Sequence, residues 1–254
     1  STREDYEYHA KVIEAAKEVR IMKLLNAPRS ICIEACITRR GILVGIPAHD
    51  LVGIPDLTPN PFGWCGNEIG QELFSNELIR YIRSATQKIG VAIIKRHPKA
   101  WGYFGVDWLL ENGKETPVFG EINMRITGMA FLSNRALLNS IGVLLFHFHL
   151  AEYLKLPVDI DIDELNKKIG DISQLDNWSS MIVKHRETHP VKVLRLPDSG
   201  IFKLEGGDAV FCSFARDFSQ LNSGEAFWFP ETVLNGLLNR EDILGRIVLR
   251  DRIT

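Results

Sequence analysis

Trp101-Gly-Tyr-Phe-Gly-Val-Asp107-Trp-Leu-Leu110 and Val118-Phe-Gly-Glu121-Ile-Asn123-Met-Arg125-Ile-Thr-Gly128 are the two runs on which the reading of this chain turns. They read as strands, and Glu111-Asn112-Gly113-Lys114 between them carries Asn-Gly, a strong hairpin-turn signal. An antiparallel hairpin centred on Lys114 sets Asp107 directly opposite Glu121. Side chains alternate with period two. One face then presents Phe104, Val106, Trp108, Leu110, Val118 and Ile122, and the other Asp107, Glu121, Asn123 and Arg125. Directly opposed Cβ atoms lie only ~5 Å apart.

Two like charges so placed repel each other and weaken a hairpin. A hard divalent cation between them removes the conflict, because Mg²⁺ takes oxygen ligands, typically one or two carboxylates plus substrate phosphates. Asn123 adds a neutral carbonyl on that face, and Arg125 a donor fork suited to carboxylate or phosphate. An amphipathic hairpin whose charged face simply meets water gives the same alternation. A one-residue slip in register would put the groups on opposite faces.

The pattern G-V-D-W-L, a short turn, then E-I-N-x-R resembles the ATP-grasp superfamily. Its members are mainly carboxylate–amine or carboxylate–thiol ligases, among them biotin carboxylase, carbamoyl-phosphate synthase and several peptide ligases. The resemblance implies that Asp107, Glu121 and Asn123 hold the Mg²⁺ (or Mn²⁺) of MgATP. It also implies that Arg125 contacts the acyl phosphate or its anionic acceptor, with Thr127-Gly128 as the following turn. Upstream, Ile21-Met22-Lys23-Leu24-Leu25 and the strand after it look like the adenine hinge of such enzymes, which makes Met22, Lys23, Leu24 and Leu25 candidate ATP contacts. Many members bind the ribose with a hinge Glu. Met22 stands near that place here, and Glu34 is the candidate substitute.

The family also needs a glycine-rich lid and a Lys ahead of the hinge, and residues 1–20 contain no Gly. The expectation is therefore the C-terminal half of an ATP-grasp module, an α+β fold of antiparallel sheet with flanking helices, over 1–177. A small, mostly-β appendage follows over 178–254. The implied function is ATP-dependent joining of a small-molecule carboxylate to an amine. A nucleotide-binding module without ligase chemistry and an ATP-grasp kinase are the alternatives. A missing N-terminal ATP-grasp segment is expected as a partner of the site, and homo-oligomerisation stays open. The opening Ser1-Thr2-Arg3-Glu4-Asp5, without an initiator Met, reads as a cut point.

Composition agrees with a folded chain. Of 254 residues, 45% are hydrophobic and 24% charged, which excludes disorder, and a net charge of −2 offers nucleic acid or anionic lipid no bulk attraction. No apolar run reaches the ~20 residues of a membrane span. Cys32, Cys36, Cys65 and Cys212 form no C-x-x-C pair and read as reduced thiols of a cytoplasmic protein. Helices are expected over about 3–20 (Thr2 and Asp5 forming a capping box), from Glu68, capped by Asn67, to Ile89, over about 129–156 with a break near Gly142, and from Ile162 to Leu175. An early hairpin of Ser30–Thr38 and Gly41–Ile46 precedes an irregular, proline-rich loop over 47–67. His49-Asp50 lies near where substrate residues are kept in the family; Phe62 and Trp64 are loop residues suited either to a pocket or to packing. His147, His149, His185 and His189 read as structural or surface residues.

Overall fold

A computed structural model describes every residue except 1, 2, 4–6, 8, 9, 11, 12, 20–22, 27, 28, 172, 174 and 254. The capping-box residues Thr2 and Asp5 and the hinge residue Met22 lie outside the described residues. Of the expected first helix, Arg3, Glu7, Ala10 and residues 13–15 are helical.

The strands β1 (Arg29–Thr38), β2 (Gly41–Val52), β3 (Trp64–Ile69), β4 (Gly102–Leu110) and β5 (Val118–Asn123) form one half of the fold. Four helices, α1 (Asn76–Arg96), α2 (Ala130–Ile141), α3 (Leu145–Tyr153) and α4 (Ile162–Gly170), flank them. Seven more strands follow: β6 (Trp178–Lys184), β7 (Val191–Lys192), β8 (Gly200–Glu205), β9 (Asp208–Phe214), β10 (Glu225–Pro230), β11 (Leu237–Leu238) and β12 (Ile243–Leu249). Ten of the strands make a single sheet in the order β5-β4-β1-β2-β3-β6-β12-β10-β8-β9, while β7 and β11 pair separately. The sheet runs through the β3–β6 pair, Gly66–Ile69 against Trp178–Met181, without interruption.

Alternation along β1 builds both layers. Ile31, Ile33, Ala35 and Ile37 point to the face covered by α1, where Leu78, Ile79 and Ile82 meet Phe104, Val106 and Trp108. Cys32 and Cys36 point to the opposite face, under Leu132, Ala136 and Leu137 of α2, Phe148 of α3 and Leu165 of α4. Glycine places the break between α2 and α3, because Gly142 caps α2 in the left-handed region at φ 71°. The Arg83 side chain ties α1 to the rest. Its Nη1 donates to the carbonyls of Val44 (2.7 Å) and Gly45, and its Nη2 to that of Asn166 (2.7 Å). Arg83→Ala strands these carbonyls and is expected to cost about 2–3 kcal/mol in urea unfolding. An unchanged midpoint would mean that the helix is held by its apolar face alone.

Two expectations fail here. Residues 68–75 do not open a helix: Asn67 and Glu68 are central in β3, and α1 starts after Ser75, whose hydroxyl accepts the Leu78 N–H at 3.2 Å. The supposed loop over 47–67 is occupied at both ends by β2 and β3, which pair from His49–Glu68 to Val52–Trp64. Among the described residues no helix is long and apolar enough to cross a membrane.

Candidate functional site

The decisive hairpin forms with Asp107 opposite Glu121, Val106 opposite Ile122 and Gly105 opposite Asn123. Beyond Asp107 the ladder slips by one residue, so Trp108 faces Phe119 and Leu109 faces Val118. Gly120 sits at this bulge, where a Cβ would stand 2.8 Å from the Asp107 carbonyl oxygen. The bulge moves Phe119, rather than Val118, onto the Trp108 face, with ring centroids 6.0 Å apart. It leaves Asp107, Glu121 and Asn123 together on the other face.

Asn123 joins the two carboxylates. Its Nδ2 donates to Asp107 Oδ2 at 2.9 Å and to Glu121 Oε1 at 3.0 Å. Burial pushes the Asp107 carboxyl above the usual carboxylate range, and the Glu121 charge pushes it the same way. Hydrogen bonding with Cys32 and the Arg125 guanidinium pull it back. The donor set fits a hard divalent cation. Two carboxylates converge with no ion-pair partner among the described residues, and turning the Asn123 amide over presents Oδ1 to the point that its Nδ2 now serves. Among the described residues, no three His, Cys, Asp or Glu side chains gather to form a metal cage.

Strand register carries the polar surface inward from the hairpin. Cys32 lies opposite Asp107, and Ser30 lies two residues back along β1. Asp50 of β2 and Asn67 of β3 are paired neighbours. Ser30 Oγ donates to Asp50 Oδ2 at 2.6 Å, and Asn67 Nδ2 to Asp50 Oδ1 at 2.5 Å. Asp50, Ser30, Cys32, Asp107, Glu121, Asn123 and Arg125 all line one cavity of about 440 Å³, walled by Val52, Trp64, Thr127 and Met129. Gly128 has no room for a side chain, because its Cβ would stand 2.6 Å from the Trp64 ring. Trp64 thus lines the site, whereas Phe62 is exposed elsewhere. His49 points to the other side of β2, 3.5 Å from Glu68.

Burial raises the Asp50 carboxyl to about 6 from an ordinary 3.8, against the hydrogen bonds from Ser30 and Asn67 that favour its charged form. The folded chain then binds this proton more readily than the unfolded chain, so stability falls as pH rises from about 4 to about 6. Asp50→Asn is expected to be roughly 2–3 kcal/mol more stable than the parent above pH 7 and equal to it near pH 4. Urea unfolding at the two pH values measures this; a difference independent of pH would contradict it.

The remaining candidates stand apart from this group. Glu34 is wholly buried, with Thr127 Oγ1 donating to Oε1 at 2.6 Å and Ser133 Oγ to Oε2 at 2.5 Å. Burial raises its carboxyl above the usual range. The expected ribose contact is not open to a side chain enclosed in this way. Glu34 instead fixes the turn after β5 to α2, a role that the sequence did not reveal because the covering helix is about 100 residues away. Lys23 and Leu24 are exposed, Leu25 is half-buried, and none of the three lines the cavity. Arg125 is exposed at the rim, with Nη1 3.3 Å from the Ile126 carbonyl oxygen. Sequence reasoning passed over Ser30, Cys32 and Asn67. The available signal was small or polar residues at alternate positions of otherwise apolar strands.

No protein-family model and no curated protein matches the sequence. Solved structures do match the fold. Biotin carboxylase from Campylobacter jejuni, solved as a beta-gamma-ATP complex, superposes over 91% of this chain and 44% of its own with TM-score 0.58 at 12% identity. L-amino acid ligase from Bacillus licheniformis superposes over 98% of this chain and 54% of its own with TM-score 0.59 at 13% identity. The chain spans about half the length of these two structures. The antiparallel sheet, flanking helices and β-rich continuation share the ATP-grasp fold of these structures over about half of their length.

Proposed function

We propose that the intact protein is an ATP-dependent ligase that activates a carboxylate as an acyl phosphate and joins it to an amine. The observation that carries this reading is the meeting of Asp107, Glu121 and Asn123 on the cavity face of an ATP-grasp sheet. Bound Mg²⁺ would supply the positive charge that phosphoryl transfer needs along the β and γ phosphates. Asp107 and Glu121 supply two anionic oxygens to hold it, and Asn123, turned over, a third, neutral one. Arg125 at the rim would bring a guanidinium to the carboxylate being activated or to the oxyanion that develops when the amine attacks. In that step the amine nitrogen bonds to the carbonyl carbon, and the carbon–oxygen bond to phosphate breaks. The hinge Met22, Lys23, Leu24 and Leu25 would serve the adenine through backbone groups. Residues 1–177 would form the nucleotide-binding unit and 178–254 its appendage. Buried Glu34 keeps the turn that carries Arg125 and Thr127 in place.

The test is Mg²⁺-dependent ADP release by the intact protein with pairs of carboxylates and amines. Release that needs both substrates is expected. Nucleotide binding without release would define a binding module, and release with a hydroxyl acceptor a kinase. Absence of Mg²⁺-dependent nucleotide binding would overturn the reading.

A further inference from the structure

The cavity has two ends. At one, Asp107 and Glu121 face each other across β4 and β5. At the other stands Asp50, two strands away and one two-residue step along the sheet, which puts the backbones ~12 Å apart by strand spacing and rise. One small molecule can therefore touch both ends.

Asp50 is only 8% exposed, and both of its oxygens are fixed by neutral donors, Ser30 and Asn67. No described Lys or Arg forms an ion pair with it. Buried carboxylates ordinarily have a cation for company. Here the wall that remains open beside the carboxylate is the cavity; Val52, two residues along β2, and its strand partner Trp64 line it next to Asp50, and Met129 adds a further apolar wall. Ser30 and Asn67 each leave a lone pair of the carboxylate free. The arrangement is a fixed anion at the bottom of an apolar-sided recess, complementary to an ammonium group carried on an apolar body.

We infer that the Asp50 end of the cavity is a substrate subsite that recognises a primary ammonium next to an apolar side chain. This rests on the ligase reading for its biological role, but the recognition itself is a binding event. Burial of the Asp50 charge costs the folded protein stability at neutral pH, a cost that a bound cation offsets.

The test compares two probes that differ in one group: L-leucinamide, which carries the ammonium, and 4-methylpentanamide, which lacks it. Their affinities for the intact protein are measured by calorimetry with MgADP present. Wild type is expected to bind L-leucinamide at least about tenfold more tightly, as a charge-assisted hydrogen bond allows. Asp50→Asn should bring the ratio to within about twofold. Val52→Lys, at an exposed wall position on the Asp50 face, supplies a competing ammonium and should independently do the same. Equal affinities in wild type, including binding of neither probe, would overturn the inference, as would a preference that survives either substitution. MgADP binding is followed separately. If it is absent while the amine preference holds, the nucleotide reading falls and the ammonium subsite stands.

Discussion

Glu121→Gln is expected to lower Mg²⁺-dependent nucleotide turnover by the intact protein by more than about 100-fold, while the fold persists. Glu121 is exposed on the edge strand β5, so its side chain carries little of the core. Gln keeps the shape and still accepts from the Asn123 amide. What it removes is one of two anionic oxygens facing each other across the hairpin, and with it the electrostatic reason for a divalent ion to sit there. Losing an outer partner of a metal ligand already costs 10–100-fold in comparable sites, so losing a ligand costs more. The substitution also relieves like-charge repulsion, so the melting temperature should stay level or rise slightly. Turnover equal to wild type would remove Glu121 from the metal assignment.

Gly66→Ala is expected to produce the largest loss of stability, about 3 kcal/mol or more. Gly66 lies in β3 between Leu51 of β2 and Met181 of β6, at φ 146°. A side chain is strained at that φ, and its Cβ would run into the Ser180 carbonyl. β3, which carries Gly66, joins the Asp50 strand β2 to β6, so the damage falls on the middle of the sheet. A chain of this size should lose roughly 6–12 °C in melting temperature. Gly206, at φ 61° with nothing within 4 Å of its Cβ position, is the comparison. Ala there meets only the cost of the left-handed backbone, about 1 kcal/mol. Equal effects at the two glycines would show that the β3–β6 junction tolerates displacement.

The central hairpin was legible because two local signals agree: a turn at Asn112-Gly113 and strict alternation on both sides of it. The early hairpin around Arg39-Arg40 was readable for the same reason, although β2 extends to Val52 rather than ending at Ile46. The slip at Gly120 was not readable, because a lone glycine in a strand does not announce which way the register moves. β3 was hidden by the prolines before it and by Asn67, a good helix cap in isolation that here pairs with Asp50 across the sheet. Strands β10 and β12 were missed because their partners are distant in sequence: β12 pairs with β6, and β10 stands between β8 and β12. Short strands with weak alternation are specified by such partners more than by their own residues. Glu34 failed for a related reason. Strand alternation puts it on the same face as Cys32, but only the placement of α2 and Thr127 shows that this row is covered.

Asp107, Glu121 and Asn123 are expected to bind one divalent ion together. Anomalous diffraction from crystals of the intact protein grown with Mn²⁺ and a non-hydrolysable ATP analogue tests it most directly. A single strong peak is expected within about 2.0–2.4 Å of a carboxylate oxygen from each acid, with the Asn123 amide turned so that Oδ1 faces the ion. An Asn123 amide still donating to both carboxylates, with the manganese signal elsewhere or missing, would contradict it.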